Sequence, residues 1–260
     1  MAKVSVYIIA YNEEQKIEPA LQSVTWADEI VVVDSFSTDR TAEIARKYTD
    51  KVVQVPFEGF GKLRNSAIAA TSHEWIFSLD TDERCTEEAK NEILAIIDSP
   101  DALDAYYVPR RNIFMGRWVR YSGWYPDYRQ PQLFRRGAQV FTDEVVHESF
   151  TTIGRVGHMK NAIWQIPFRN FEQMISKIDR YSTLGAAKMA AKGVRPGMGK
   201  ALFHALFAFF RMYILRRGIL DGWAGFVIAL YTFEGTFYRY AKQVEAARGW
   251  VMTRPEELER

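Results

Sequence analysis

The stretch W-I-F-S-L-D-T-D-E, from Trp75 to Glu83, joins an apolar run to two aspartates separated by one residue. The run predicts a buried strand, and an extended backbone points residues i and i+2 to the same side, so Asp80 and Asp82 converge. Two carboxylates about 4 Å apart repel by roughly 4 kcal/mol at an effective dielectric constant of 20, a cost that a divalent cation removes. Oxygen ligands favour Mg²⁺ or Mn²⁺, which also bind phosphates. The stretch therefore predicts a cation site for a nucleotide diphosphate, with a solvated Asp-rich turn as the alternative.

Strands and helices alternate around this stretch. Apolar runs predict strands at residues 4–9, 29–34, 51–55 and 75–79, and helical spacing predicts helices at residues 16–23, 41–48, 61–70 and 87–97. This order predicts an α/β fold with a mostly parallel sheet, and the continuous apolar strands indicate helices on both faces. Ligands of such sheets bind beyond the carboxyl ends of the strands. Residues 11–13, 34–35 and 80–82 follow three of those ends and form the predicted ligand site.

Composition and missing motifs exclude several classes of protein. The chain has 260 residues, 48% of them apolar, and a net charge of +2, which argues against a nucleic-acid binder. A single cysteine, Cys85, excludes an internal disulfide framework and a cysteine-based zinc site, and it fits a reducing, cytoplasmic compartment. The apolar run at residues 4–9 is too short for a signal peptide. No G-x-G-x-x-G follows the first strand and there is no P-loop, which disfavours a dinucleotide-dependent dehydrogenase.

Four motifs resemble, in order and spacing, those of glycosyltransferase family 2. They are I-I-A-Y-N-E-E at residues 8–14, V-V-D-S-x-S-T-D-x-T at 32–41, G-F-G-K-L-R-N at 59–65 and L-D-T-D-E at 79–83. The resemblance implies the GT-A fold and a nucleotide-diphospho-sugar donor. It implies donor contacts at Ala10, Tyr11, Asn12, Glu13, Asp34, Ser35, Arg64, Asp80, Thr81 and Asp82. It also implies a divalent cation held mainly by Asp82, with help from Asp80.

The general base is the open assignment. Transfer with inversion to a hydroxyl needs a base opposite the leaving group. Many family members carry Glu-Asp or Asp-Asp in mid-chain, and this chain lacks that doublet. V-V-H-E at residues 145–148 is the nearest match, with Glu148 as the base and His147 orienting it or approaching the metal; a surface His-Glu pair is the alternative. Asp127 is the rival base, because an aromatic setting could raise its pKa.

Beyond residue 120 the resemblance narrows to the lipopolysaccharide-core glucosyltransferase branch of the family. W-Y-P-D-x-x-x-x-x-L-F-R-R-G at residues 124–137, F-R-N-F-E-Q at 168–173 and R-G-x-L-D-G-W-x-G at 217–225 carry it. That branch often has His where this chain has Gln165, which puts a third metal ligand in doubt. Seven arginines lie within residues 110–136, and Arg grips anionic groups in fork geometry. The predicted acceptor residues are Trp124, Tyr125, Arg129, Arg135 and Arg136, although core packing for the aromatics and ion pairs for about half of the arginines are the alternatives.

The predicted domains are a GT-A catalytic domain at residues 1–166 and a helical region at residues 167–260. The first comprises a nucleotide-sugar half at 1–100 and an acceptor half at 101–166. In the second, residues 201–217 and 223–233 are apolar runs, too short and too interrupted for a spanning helix. They predict helices on the cytoplasmic face of an inner membrane, with packing on the catalytic body or a homodimer interface as alternatives.

The combined prediction is an inverting, metal-dependent glycosyltransferase. It moves a hexose, glucose from UDP-glucose, to a lipid-linked saccharide such as a lipopolysaccharide inner core. A polyprenyl-phosphate sugar synthase would share the donor site and the membrane contact but would need no general base. A non-catalytic membrane or assembly module is the alternative outside enzymes, and the intact Asp34, Asp80 and Asp82 argue against it.

Overall fold

The computed structural model describes residues 2–142, 149–194 and 197–248. The chain forms two compact units, one of Met1–Ile113 with Pro126–Ile166 and one of Phe114–Tyr125 with Pro167–Arg260. The sequence predicted a boundary at residue 166 and kept residues 114–125 with the first part, whereas the structure groups that segment with the C-terminal helices. The assignment of a donor half and an acceptor half within the first unit stays a prediction.

The elements follow one another as the printed sequence runs. The strands are β1 (Val4–Ala10), β2 (Glu29–Asp34), β3 (Val52–Gln54), β4 (Trp75–Ser78), β5 (Glu83–Arg84), β6 (Ala105–Tyr107), β7 (Arg110–Phe114), β8 (Arg117–Trp118), β9 (Pro131–Arg135), β10 (Gln139–Phe141), β11 (Phe150–Thr152), β12 (Val156–His158) and β13 (Ile163–Gln165). The helices are α1 (Ile17–Gln22), α2 (Thr41–Ala45), α3 (Phe60–Ala70), α4 (Glu87–Ile97), α5 (Phe171–Ala191), α6 (Met198–Phe210) and α7 (Trp223–Arg248). A π-helical turn, Arg211–Leu215, and a 3₁₀ turn, Gly218–Asp221, lie between α6 and α7.

The main sheet of the first unit has the strand order β12-β6-β9-β4-β1-β2-β3. Strand β1 pairs in parallel with β2 and β4, and β2 pairs in parallel with β3. Strand β9 is antiparallel to both of its neighbours, β4 and β6. The carboxyl ends of β1, β2 and β4 therefore meet at one edge, as ligand binding in such a sheet requires.

Both faces of this sheet are covered. Along the fully buried strand β1, Val6 and Ile8 belong to one apolar cluster, while Tyr7 and Ile9 belong to another. Helices α1 and α4 contribute to the first cluster, and α3 contributes to the second. Burial of apolar surface contributes about 25 cal/mol per Å². Because the strands are buried on both faces, apolar side chains at successive positions stabilise them, and polar residues need not alternate with apolar ones. The predicted α/β architecture, a mostly parallel sheet flanked by helices with C-terminal helices after it, is confirmed.

At the amino edge of the same sheet, Glu29 anchors a partly buried polar cluster. Its carboxylate accepts hydrogen bonds from Ser5 Oγ at 2.5 Å, from the Ser72 backbone N–H at 2.7 Å and from Lys51 Nζ. Burial alone would raise the pKa of Glu29, but these hydrogen bonds outweigh burial and lower it from 4.5 to about 2. A lowered folded-state pKa contributes stability above the ordinary pKa, and that stability is lost as the pH falls through the folded value.

Glu29→Gln is therefore expected to destabilise the protein at neutral pH and to lose this effect in acid. We expect a decrease of about 2 kcal/mol in the free energy of unfolding at pH 7, less than the roughly 3 kcal/mol of the full shift, because Lys51 is half exposed and water screens it. The difference should close as the pH falls from 4.5 toward 2. Urea unfolding at pH 7 and pH 3.5 measures it. Glu87→Gln, in an exposed pair with Lys90, is the control and should change little at either pH.

In the second unit, α5 and α6 both pack on α7. The core contains Met174 of α5, Met212 after α6 and Ile228 of α7, together with Phe114 and Val119. The buried carboxylate of Asp221 accepts the backbone N–H groups of Arg120 and Tyr121, at 3.0 and 2.9 Å. A buried carboxylate needs such partners, and these two bonds tie the segment 114–125 to the C-terminal helices.

Candidate functional site at the carboxyl edge of the sheet

The loops after β1 and β2 are joined to each other by hydrogen bonds. The backbone N–H of Asn12 donates to Ser37 Oγ at 2.8 Å, and the Asn12 side-chain oxygen accepts the Thr38 N–H at 2.8 Å. The Glu13 N–H donates to Thr41 Oγ1 at 2.7 Å. Asn12 has a φ of 54°, a left-handed conformation that Asn tolerates better than most residues. The motifs Y-N-E-E and D-S-x-S-T-D thus form one polar rim, on which Tyr11 is exposed.

Asp34, at the end of β2, lies beneath this rim and is 0% exposed. Its carboxylate accepts hydrogen bonds from Ser37 Oγ at 2.5 Å, from the Ser37 N–H at 3.0 Å and from Gln54 Nε2 at 2.7 Å. Its neighbour Ser35 is also buried, and the Ser35 N–H donates to the Ala10 carbonyl at 2.9 Å. In this conformation Asp34 fixes the shape of the rim. Its predicted contact with a nucleoside stays a prediction.

Asp80, after β4, forms an ion pair with Arg64 of α3, with Nη2 at 3.0 Å from Oδ1. The other terminal nitrogen of Arg64 donates to Ser78 Oγ at 3.2 Å. Burial would raise the pKa of Asp80, but the positive charges of Arg64 and Arg110 outweigh burial and hold it below the usual range. The structure therefore brings Asp80 and Arg64 together as an ionised pair and leaves the Asp80 carboxylate partly exposed.

Asp82 begins a chain of polar side chains. Its Oδ2 atom lies 3.4 Å from Nε2 of Gln165, and its backbone carbonyl accepts the Ile166 N–H at 2.8 Å. The Gln165 oxygen accepts a hydrogen bond from Arg129 at 3.1 Å, and the same Arg129 nitrogen donates to Asp127 at 2.7 Å. Of the predicted acceptor residues, Arg129 is thus beside the donor residues. Asp127 faces a cation rather than the aromatic setting that the sequence suggested.

A buried ion pair between Glu83 and Arg110 stabilises the turn that contains Asp80 and Asp82. Glu83 is 0% exposed and accepts a hydrogen bond from Arg110 Nε at 2.5 Å, and its second oxygen accepts from the Asp80 N–H at 3.0 Å and from Gln132 at 2.8 Å. Arg110 also donates to the carbonyl of Asp127 at 3.0 Å. The pair fixes the turn that carries Asp80 and Asp82. Sequence reasoning missed it, although the acid immediately after D-x-D and an arginine inside a strand were its signals.

The G-F-G-K-L-R-N motif docks α3 on strand β10. A Cβ atom on Gly61 would lie 2.0 Å from the Thr142 carbonyl oxygen, so only glycine permits this approach. The Asn65 side chain donates to the Phe141 carbonyl at 2.9 Å and accepts the Phe141 N–H at 3.1 Å. The Thr142 N–H in turn donates to the Ser149 carbonyl at 2.8 Å. Thr142 and Ser149 border residues 143–148, which include His147 and Glu148 and lie outside the described residues.

The other predicted acceptor residues are placed elsewhere. Arg135 pairs with Glu74 and Arg136 donates to the carbonyls of Thr71 and His73, at 2.7 and 2.9 Å. Both arginines lie at the amino end of β4, because β9 runs antiparallel to it, and the structure does not bring them to Asp80. Trp124 and Tyr125 belong to the second unit, where Trp124 packs on Phe114 and Phe168 and Tyr125 packs on Trp118.

The carboxyl edge has the chemistry of a Mg²⁺ or Mn²⁺ site that is completed by a ligand. Among residues 2–142, 149–194 and 197–248, no group of three or more His, Cys, Asp or Glu side chains is placed to hold a metal. Asp80 and Asp82 provide two hard carboxylates, and Arg64 already balances one of them. These residues fit a cation that binds one or two protein carboxylates and takes its remaining ligands from phosphates and water.

Comparisons with known proteins found relatives among glycosyltransferases. The chain is 28% identical over 257 residues to the lipopolysaccharide core biosynthesis glycosyltransferase LpsC of Rhizobium meliloti, a match that covers 92% of this chain and 93% of LpsC. S. aureus TarS 1–349 in complex with UDP-GlcNAc is 18% identical with a TM-score of 0.49, covering 96% of this chain and 93% of that one. Glucosyl-3-phosphoglycerate synthase from Mycobacterium tuberculosis in complex with Mn²⁺ and UDP-glucose is 26% identical with a TM-score of 0.38, covering 42% and 44%.

The family model described as glycosyl transferase family 2 matches residues 5–156, which is more than half of the chain. All four sequence motifs that resemble this family lie within the match. The expected family membership and GT-A fold are confirmed. The chain belongs to glycosyl transferase family 2 and is a glycosyltransferase.

Proposed function

We propose that this glycosyltransferase moves a hexose, glucose from UDP-glucose, onto a hydroxyl of a lipid-linked saccharide such as a lipopolysaccharide inner core. The observation that carries the proposal is the carboxyl edge of the sheet, where adjacent parallel strands end. This edge brings together the rim of Asn12 and Ser37, the Asp80–Arg64 pair and Asp82. The similarity to LpsC over 92% of the chain supports the lipopolysaccharide acceptor. Because such an acceptor is held in a membrane, we propose that the protein acts at the cytoplasmic face of the inner membrane.

In this proposal Asp82 is the principal ligand of a Mg²⁺ or Mn²⁺ ion and Asp80 the supporting one. When bound, the cation offsets the negative charge that develops on the departing nucleotide diphosphate. The residues from Ala10 to Glu13, with Ser35 and Thr81, line the nucleotide-sugar side, and Asp34 keeps the rim in shape. Arg64 keeps Asp80 ionised and adds positive charge near the diphosphate.

The acceptor hydroxyl needs a base, and we propose Glu148, with His147 orienting it. The bordering residues support this choice, because Thr142 and Ser149 are hydrogen-bonded to each other and Asn65 holds Phe141 beside them. Arg64 lies 5.6 Å from the centre of the Phe141 ring, so the border of that segment is next to the Asp80–Arg64 pair. Single displacement by a hydroxyl deprotonated there inverts the anomeric centre of the sugar.

Donor binding can be measured without knowing the acceptor. UDP-glucose at about 100 times its Kd, with Mn²⁺, should stabilise the full chain by about 2.7 kcal/mol and raise the melting temperature by about 5–10 °C. EDTA should abolish the rise, because the diphosphate then lacks its cation. Mn²⁺ with glucose 6-phosphate, which has no nucleotide, is the control and should leave the melting temperature unchanged. The absence of a shift with UDP-glucose, UDP-GlcNAc and GDP-mannose would contradict the donor site.

A further inference from the structure

Helix α6 packs with its small side chains and exposes its large ones. Its buried positions, spaced as one helical face, are Ala201, Ala205 and Ala208, followed by Met212 in the next turn. Its exposed positions are Leu202, Phe203, Leu206, Phe207 and Phe210, which are between 47% and 67% accessible. A surface helix in water normally turns its large apolar side chains inward and charged ones outward. The arrangement in α6 is the reverse, so its outer side requires an apolar cover.

The turns after α6 extend this exposed surface. Ile214 and Leu215 of the π-helical turn, Ile219 and Leu220 of the 3₁₀ turn and Trp223 at the start of α7 are all exposed, Trp223 at 75%. We call these residues and the exposed side of α6 the outer apolar face. Contiguous apolar patches of this kind mark contacts with a membrane or with another protein.

The charges around the outer apolar face distinguish between those two covers. The segment that carries most of this face, residues 198–220, contains four Lys and Arg residues and no Asp or Glu. Lys200 borders the uncharged part of α6 on one side and Arg211 on the other, and both are exposed. A second copy of the chain would bring the same positive segment against this one, and like charges across an interface repel. A bilayer with anionic lipids offers an apolar interior and a negative surface, and both complement this segment.

We propose that the outer apolar face inserts into one leaflet of an anionic bilayer, with α6 parallel to the membrane surface. One stretch of the described residues, Met198–Leu215, is long and apolar enough to cross a membrane by length and composition. Its uncharged part, the ten residues between Lys200 and Arg211, measures only about 15 Å, half of the roughly 30 Å hydrocarbon core. Its inner side also packs on α7, where His204 stacks on Tyr240 at 5.0 Å. These features fit a helix that lies in the leaflet.

This membrane contact concerns binding alone and does not depend on the proposed donor or acceptor. The full chain should sediment with vesicles of phosphatidylcholine containing 30% phosphatidylglycerol, without any nucleotide sugar. Phe203→Glu/Phe207→Glu should weaken that binding by about 100-fold, because each partly buried phenylalanine is worth about tenfold. The matched control is Ile153→Glu/Val156→Glu, which adds the same charges at exposed apolar positions of the first unit and should bind as the wild type does.

The charge argument has its own variant. Lys200→Gln/Arg211→Gln should weaken binding to the anionic vesicles by about 25-fold, roughly fivefold per residue near the surface, and should leave binding to pure phosphatidylcholine almost unchanged. Added salt should reduce the affinity of the wild type for the anionic vesicles and leave its affinity for pure phosphatidylcholine almost unchanged.

Two results would overturn the proposal. One is unchanged vesicle binding by the Phe203/Phe207 variant while its circular dichroism spectrum stays native. The other is a wild-type dimer, by light scattering, that this variant converts to a monomer with no effect on vesicles, which would make the outer apolar face a self-association surface. The melting shift with UDP-glucose and Mn²⁺ is measured on the same samples. A lost membrane contact and a lost donor site therefore give separate readouts.

Discussion

Asp82→Asn is expected to lower turnover by about 10³-fold and to remove the metal-dependent melting shift given by UDP-glucose. Asn keeps the size of the side chain and one oxygen, but it loses the negative charge that a hard cation requires. The loss amounts to about 4 kcal/mol of transition-state stabilisation, within the several kcal/mol that a cation supplies to a departing phosphate. Metal-dependent hydrolysis of UDP-glucose measures it without an acceptor.

The ion pair of Asp80 with Arg64 is the reason why a smaller effect is expected for Asp80 than for Asp82. The negative charge of Asp80 is shared with Arg64 at 3.0 Å, so a cation finds it partly neutralised. Asp82 contacts the amide of Gln165 at 3.4 Å, and its main-chain carbonyl accepts the Ile166 N–H at 2.8 Å. We expect Asp80→Asn to lower turnover by about 10- to 100-fold, because it weakens the cation site and releases Arg64.

A carboxylate in the same unit provides the matched control. Asp101 is exposed, and Asp101→Asn makes the same chemical change away from the carboxyl edge of the sheet. Its turnover and its melting shift should equal those of the wild type. If Asp82→Asn kept both the shift and its sensitivity to EDTA, the cation would lie elsewhere and the proposed role of the D-T-D segment would be wrong.

The central strands could be predicted from sequence because a strand that is buried on both faces consists almost entirely of apolar residues. Residues 6–10 and 30–33 are continuous apolar runs, and each run lies within a strand of the structure. The order in which the strands pair could not be predicted in this way. Nothing in the side chains of β9 indicates that it lies antiparallel between β4 and β6. That insertion carries Arg135 to the amino edge of the sheet, where it pairs with Glu74 instead of facing the donor residues.

Polar contacts between residues far apart in the chain could not be predicted from the sequence either. Glu83 and Arg110 are 27 residues apart and Asp221 is about 100 residues from Arg120, and no local pattern links the members of either pair. The apolar content of α6 was evident from sequence, but the side on which its large residues lie was not. Only packing on α7 shows that the alanines face inward.

Glu148→Gln is expected to lower kcat by about 10³-fold while the melting shift with UDP-glucose and Mn²⁺ stays as in the wild type. A general base contributes about 10²- to 10⁴-fold, and Gln cannot accept the proton from the acceptor hydroxyl. Because the base acts on the acceptor, donor binding should not change. The measurement is kcat for transfer to a lipopolysaccharide core acceptor, with the melting shift recorded in parallel.

Asp127→Asn is the matched comparison, and its surroundings predict a smaller loss through a different route. The Asp127 carboxylate is 2.7 Å from Arg129, which also donates to Gln165, the neighbour of Asp82. Loss of the Asp127 charge should loosen Arg129 and Gln165, so donor binding should weaken together with kcat, by about tenfold or less. Loss of kcat with an intact melting shift in Asp127→Asn, and wild-type kcat in Glu148→Gln, would transfer the role of base to Asp127. The melting shift therefore separates a residue that takes a proton from one that positions the donor site.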